Sequence, residues 1–128
     1  AFYDDLKERY GDDGGIYYED QVLMMSRQGR CVRLITISNS KTVDKPVFKK
    51  PVIFITARVH PSESPSSFVA EGLINFLLNT KDLRSYILRE MFTIMIIPML
   101  NPDGVVMGNF RYDDLGQNLN RYYNTATL

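Results

Sequence analysis

Histidine and cysteine each occur only once in the 128 residues, as His60 and Cys31. With a single cysteine no disulfide framework can form, which suits a reducing compartment. Cys31 sits in a strand-like run with no histidine near it in sequence, and is read as a buried, inert thiol rather than a nucleophile. A site that needs histidine must be built around His60. Charge of one sign is also missing: Lys plus Arg and Asp plus Glu number 15 each, so the formal net charge is zero. That balance gives no argument for nucleic acid or an anionic membrane as partner. No apolar run approaches the ~20 residues that cross a bilayer, and no stretch reads as a signal peptide, a repeat or a low-complexity tract. The chain begins with Ala1 rather than methionine, as expected of a trimmed or excised segment. What is present is 45% hydrophobic, enough for a real core at this length. One compact unit, or a large piece of one, is expected, with no internal boundary.

Around the histidine the sequence runs Ala57-Arg58-Val59-His60-Pro61-Ser62-Glu63-Ser64-Pro65. Before it, Pro51 to Ala57 is short, β-branched and aromatic, which predicts a central parallel strand covered on both faces. After it, Ser64 followed by Pro65 reads as a helix N-cap with proline at the first helical position. Phe68, Val69, Leu73, Phe76 and Leu77 then recur at helical spacing. His60 and Glu63 fall in the strand-to-helix turn, where open α/β sheets gather ligands beyond the carboxyl ends of their strands. An imidazole and a carboxylate three residues apart can face one point and make half of a zinc site. H-x-x-E is only two fixed residues, however, and a histidine beside a proline also serves as an ordinary hydrogen-bonded loop residue.

Elsewhere, Phe2, Leu6 and Tyr10 predict a short helix stopped by the Gly and Asp cluster at 11–15. Gln21 to Met25 and Cys31 to Ser38 predict a hairpin turning at Ser26-Arg27-Gln28-Gly29, with Gly29 at positive φ. Asn39 to Lys50, with Lys41, Lys45, Lys49 and Lys50, reads as a solvated basic loop, a long-range attractor for acidic polymers. Asp82 is placed as the cap of a second helical piece through Leu83, Tyr86 and Ile87, before an apolar strand over 92–98. Strand, helix, strand predicts a right-handed crossover, so both strands end on one edge. Met99 to Gly104, Arg111, Asn118, Asn120 and Arg121 should then open beside His60. Arginine and asparagine near a metal suit carboxylate recognition and carbonyl polarisation. The competing expectation is that Asn-Pro-Asp-Gly forms a plain turn, with Arg111 and Arg121 paired to Asp103, Asp113 or Asp114 at the surface.

Four blocks taken together resemble the zinc metallocarboxypeptidases: residues 57–63, Pro98-Met99-Leu100-Asn101-Pro102-Asp103-Gly104-Val105, Gly108-Asn109-Phe110-Arg111, and Asn118-Leu119-Asn120-Arg121. Within that family the chain resembles the cytosolic carboxypeptidases, the tubulin deglutamylases. The resemblance implies an α/β fold, a mixed sheet with central parallel strands flanked by helices, of which residues 1–128 form the N-terminal half. It implies Zn2+ as cofactor, with His60 and Glu63 the first two ligands, Arg111 the group that polarises the scissile carbonyl, and Asn120 and Arg121 the holders of the substrate's α-carboxylate. Acidic polypeptide tails, tubulin or another glutamylated protein, are the implied partners, in the cytoplasm or on the cytoskeleton. Two departures stand out. Ser62 replaces the family's glycine, and the third ligand, a histidine, and the glutamate general base are expected beyond Leu128. The alternatives are an aspartoacylase-like amidohydrolase, or an inactive fragment that grips acidic tails. A half-sheet should also expose an edge and invite self-association.

Overall fold

The computed structural model describes residues 2–10, 15–39 and 49–123. Leu6 is the buried residue of helix α1 (Phe2–Tyr10), and Phe2, Tyr3 and Tyr10 pack half-buried beside it, as one apolar residue per turn requires. Strands β1 (Ile16–Met25) and β2 (Cys31–Asn39) form the expected antiparallel hairpin. β1 begins five residues before the expected start at Gln21, because Ile16 and Tyr18 are buried by alternation while Tyr17 and Glu19 point the other way. The turn closes with Gly29 N–H on Ser26 O at 2.9 Å, and Gly29 has φ +73°.

Strands β3 (Val52–Thr56) and β4 (Thr93–Ile97) pair in parallel, and β4 pairs antiparallel with β2, giving the order β1-β2-β4-β3. The expected mixed sheet flanked by helices is therefore observed. Of the parallel pair, β4 is interior and β3 ends the sheet among the described residues. Val52 and Phe54 are 54% and 57% exposed there, so β3 is not covered on both faces. On one face Ile35, Ile37, Ile94 and Ile96 pack against Leu6, Ile74, Leu77 and Leu78. On the other, Val32 and Leu34 meet Ile97. Each fully buried aliphatic side chain contributes roughly 1.5–3 kcal/mol.

Helix α2 (Ser64–Leu77) follows β3 and α3 (Leu83–Met91) precedes β4. α2 buries Ala70, Ile74 and Leu77, an i, i+4, i+7 stripe, whereas Phe68 and Val69 are 74% and 70% exposed, contrary to the periodicity expected of them. Asp82 does cap α3, accepting the Arg84 N–H at 2.9 Å. α3 turns inward through Ser85 and Arg89, leaving Leu83, Tyr86 and Ile87 exposed.

Two further expectations are corrected. Cys31 is exposed, with its thiol 3.8 Å from Met25 Sδ, because it opens β2 at the hairpin turn. Lys50 is buried: its ammonium donates to Ser38 Oγ, Asn39 O and Arg89 O at 3.0, 3.1 and 2.8 Å, and burial lowers its pKa. It belongs to the cap at the end of α3 rather than to a solvated basic cluster. Residues 40–48, which carry Lys41 and Lys45, lie outside the described residues, as do 11–14. No helix among the described residues is long and apolar enough to cross a membrane.

Candidate active site

Beyond the last paired residues of β3 and β4 the two chains stay bonded. Ala57 N–H donates to Ile97 O, Leu100 N–H to Ala57 O, and Asn101 N–H to Arg58 O, at 2.9, 2.9 and 3.2 Å. The loops bearing His60 and the Asn-Pro-Asp-Gly block therefore leave the sheet side by side, as the parallel crossover predicts. Arg58 turns the first loop at φ +58°, a left-handed conformation uncommon outside glycine. Its side chain secures the turn, donating to Pro61 O at 2.8 Å and Ser67 Oγ at 2.9 Å, while its N–H meets Ser66 Oγ at 3.1 Å.

This turn delivers His60, 6% exposed, to Glu63. Nδ1 lies 2.7 Å from Glu63 Oε1 and Nε2 lies 3.0 Å from Asn118 Oδ1. The Asn118 oxygen also accepts the Asn120 N–H at 3.1 Å, which fixes it as an acceptor. Nε2 must then donate to Asn118, and Nδ1, facing a carboxylate that can only accept, turns a hydrogen of its own towards Glu63. Glu63, rather than Ser64, is the N-cap of α2, and Pro65 is the second helical residue. The Glu63 carboxylate makes no capping hydrogen bond and is turned to His60 instead. Its pKa is lowered, first by the hydrogen bond with His60 and further by the charges of His60 and Arg111.

Arg111 is brought to the pair by the next loop. Ser62 N–H donates to Phe110 O at 3.1 Å, tying the two loops directly. The loop is folded by Asn109, which donates to Tyr112 O and Asp113 O at 3.3 and 2.9 Å, and by the Asp113 carboxylate, which accepts from Leu115 N and Gln117 N. Asn118 then opens the 3-10 turn Leu119–Arg121, with Asn120 and Arg121 exposed. His60, Glu63 and Arg111 thus lie near one another, and Asn120 and Arg121 follow Asn118 on the exposed turn beside them. The competing surface pairs do not form among the described residues: Asp103 takes Arg30 at 2.8 Å and Asp114 takes Arg27 at 3.2 Å.

Two elements carry roles that the sequence pattern does not assign. Asn118 orients the imidazole across a separation that no local spacing reveals. Asp103, 5% exposed, accepts Ser26 Oγ, Gln28 N–H and Arg30 Nη1 at 2.7, 3.2 and 2.8 Å, latching the β1–β2 turn to the short helix α4 (Pro102–Val106). Burial raises its pKa, but the hydrogen bonds from Ser26 and Arg30 outweigh that and hold the carboxyl below its usual value. Gly104 sits where three loops cross. A Cβ on it would lie 2.5 Å from Tyr112 O, 2.6 Å from Pro61 Cγ and 2.8 Å from Asn101 Nδ2.

Residues 19–127 match the zinc carboxypeptidase family, peptidase M14. The chain belongs to that family. It is 44% identical over 127 residues to cytosolic carboxypeptidase-like protein 5 of Danio rerio, covering 84% of this chain and 14% of that protein. It is 48% identical over 111 residues to cytosolic carboxypeptidase 6 of Caenorhabditis elegans, covering 87% of this chain and 24% of that protein. Among solved structures, the metallo-carboxypeptidase of Burkholderia cenocepacia superposes with a TM-score of 0.80 at 29% identity, over 95% of this chain and 30% of that one. The chain thus spans about a seventh to a quarter of the curated relatives it matches.

The zinc that the family implies is consistent with these donors. Two ligand atoms sharing a zinc at ~2.0–2.1 Å stand roughly 3.3 Å apart in tetrahedral geometry. Nδ1 and Oε1 are 2.7 Å apart, so only a small opening of the pair separates their mutual hydrogen bond from joint coordination. Among the described residues no third His, Cys, Asp or Glu joins them.

Proposed function

We propose that the protein to which this zinc carboxypeptidase segment belongs is a metallocarboxypeptidase that removes C-terminal or branch-point glutamates from acidic polypeptide tails, tubulin among the candidate substrates. The observation that carries the reading is the convergence of His60 Nδ1 and Glu63 Oε1 beside Arg111, with the Asn120–Arg121 turn attached through Asn118. The relatives' names, cytosolic carboxypeptidases, support a carboxypeptidase activity and a cytosolic setting.

His60 and Glu63 would hold Zn2+, with Asn118 keeping a hydrogen on Nε2 so that Nδ1, once it gives up the hydrogen it shares with Glu63, would be the ligating nitrogen. The bound metal supplies a Lewis acid and an activated water. Arg111 polarises the scissile carbonyl and stabilises the oxyanion that develops on it. Asn120 and the planar guanidinium of Arg121 hold the substrate's terminal carboxylate, a two-point grip that lysine cannot reproduce. The third ligand and the general base come from the remainder of the protein, so the segment alone is inactive.

The test is hydrolysis by the parent enzyme of peptides ending in glutamate, set against N-acyl amino acids. Cleavage of the peptides is expected, and Arg121→Lys should raise KM by about tenfold, the equivalent of ~1.4 kcal/mol. Preference for the N-acyl amino acids would instead favour an aspartoacylase-like amidohydrolase. For the segment by itself we also propose self-association through β3, whose outer edge is unpaired among the described residues while Val52 and Phe54 are exposed. Sizing chromatography should show a species larger than one chain; a monomer that stays monomeric as concentration rises removes this proposal.

A further inference from the structure

We infer that Asn101 is a positioning residue that sets the His60 loop and the Arg111 loop against each other. It is 3% exposed and every polar function it has is engaged. Its backbone N–H meets Arg58 O and its carbonyl accepts the Val105 N–H, both at 3.2 Å. The side-chain oxygen accepts the Gly104 N–H at 3.0 Å and caps α4. The side-chain NH2 has two hydrogens, and it spends one on Val59 O at 3.2 Å and one on Tyr112 O at 3.4 Å.

Those two carbonyls belong to the residue before His60 and the residue after Arg111. A single amide therefore spans the two loops that carry the ligand and the arginine. The capping bond alone does not demand asparagine, because serine and aspartate cap equally well. The bridge does demand it. Aspartate has the same shape but would place an oxygen against two carbonyl oxygens, and serine keeps a capping acceptor that is too short to reach either loop.

The inference rests on the reading of His60 and Glu63 as zinc ligands, and the experiment separates the two. His60 is the only histidine, so its ring signals are unambiguous in NMR spectra of the whole chain. Zinc titration of wild type, Asn101→Ser and Asn101→Asp gives affinity. The Nε2–H signal of the metal-free chain, protected through Asn118, reports ring placement without any metal. Both variants should bind zinc more weakly, by about 10–100-fold as for other residues that orient a ligand from outside the coordination sphere. Both should also lose or broaden the Nε2–H signal while the amides of β2 and β4 keep their positions.

Wild-type affinity and an intact Nε2–H signal in Asn101→Ser would reduce Asn101 to a helix cap and overturn the inference. If wild type itself takes up no zinc, two ligands alone do not hold the ion and the titration must be repeated in the parent protein, while the Nε2–H comparison still decides the positioning role. Should Asn101→Asp not fold, the serine variant decides. Unfolding of both would make Asn101 a stability residue and overturn the proposal.

Discussion

His60→Ala should abolish zinc uptake by this chain and reduce the parent enzyme to background hydrolysis. Both consequences follow from one nitrogen, since Nδ1 is the ring atom left facing Glu63 once Nε2 is committed to Asn118. The fold should survive. The variant loses two side-chain hydrogen bonds, each with a net value of about 0.5–1.5 kcal/mol and somewhat more where a charge takes part. The core of Ile35, Ile37, Ile74 and Ile96, each fully buried, is untouched. Elemental analysis for zinc beside far-UV circular dichroism would check both halves. A folded variant that still binds zinc as tightly as wild type would place the metal elsewhere.

Gly104→Ala carries the second large effect, and here two physical terms have opposite signs. Gly104 lies inside α4, where alanine is favoured over glycine by ~1 kcal/mol of helix propensity. Sterics oppose this. All three of the nearest atoms would come within 3.0 Å of the new Cβ, and the closest, Tyr112 O at 2.5 Å, is backbone. Pro61 and Asn101 are buried and cannot swing aside. Overpacking of this kind costs about 1–3 kcal/mol or more, so the clash should outweigh the gain. The urea midpoint should fall, and the His60 and Arg111 loops should separate, because Gly104 touches both. A midpoint at or above that of wild type would show that the crossing relaxes freely.

The apolar runs at 52–56 and 93–97 and the breaks around them carry enough information to place β3, β4 and the crossover between them, and with it the edge where His60 and Glu63 sit. The errors share a cause, which is that burial is decided by partners distant in the chain. Lys50 reads as one lysine of a basic loop, yet three oxygen acceptors at the ends of β2 and α3 draw it inside. Phe68 and Val69 have the right spacing for a helix core, but α2 docks through the smaller Ala70 stripe. β1 looks too polar at Tyr17-Tyr18-Glu19-Asp20 to start where it does. Asp20 is nevertheless buried beneath Arg33 of the neighbouring strand. Asn118 belongs to a motif that resembles the family's, but its hold on His60 crosses 58 residues and leaves no local trace. At the N-terminus of α2 the misplacement is a single residue, Glu63 for Ser64, and the carboxylate at that position caps nothing but turns to His60 instead.

The bonds that continue the β3–β4 ladder, Ala57 N–H to Ile97 O and Leu100 N–H to Ala57 O, bear on the order of events during folding. His60 and Glu63 are neighbours in a single turn and can meet as soon as α2 nucleates, so an early, largely unstructured chain could already hold a metal loosely. Arg111 joins them only after a strand pairing that closes a long loop, a slow and entropically costly step. Affinity for the ion and the capacity to act on a carbonyl would then be acquired at separate times, the second only when the sheet is complete.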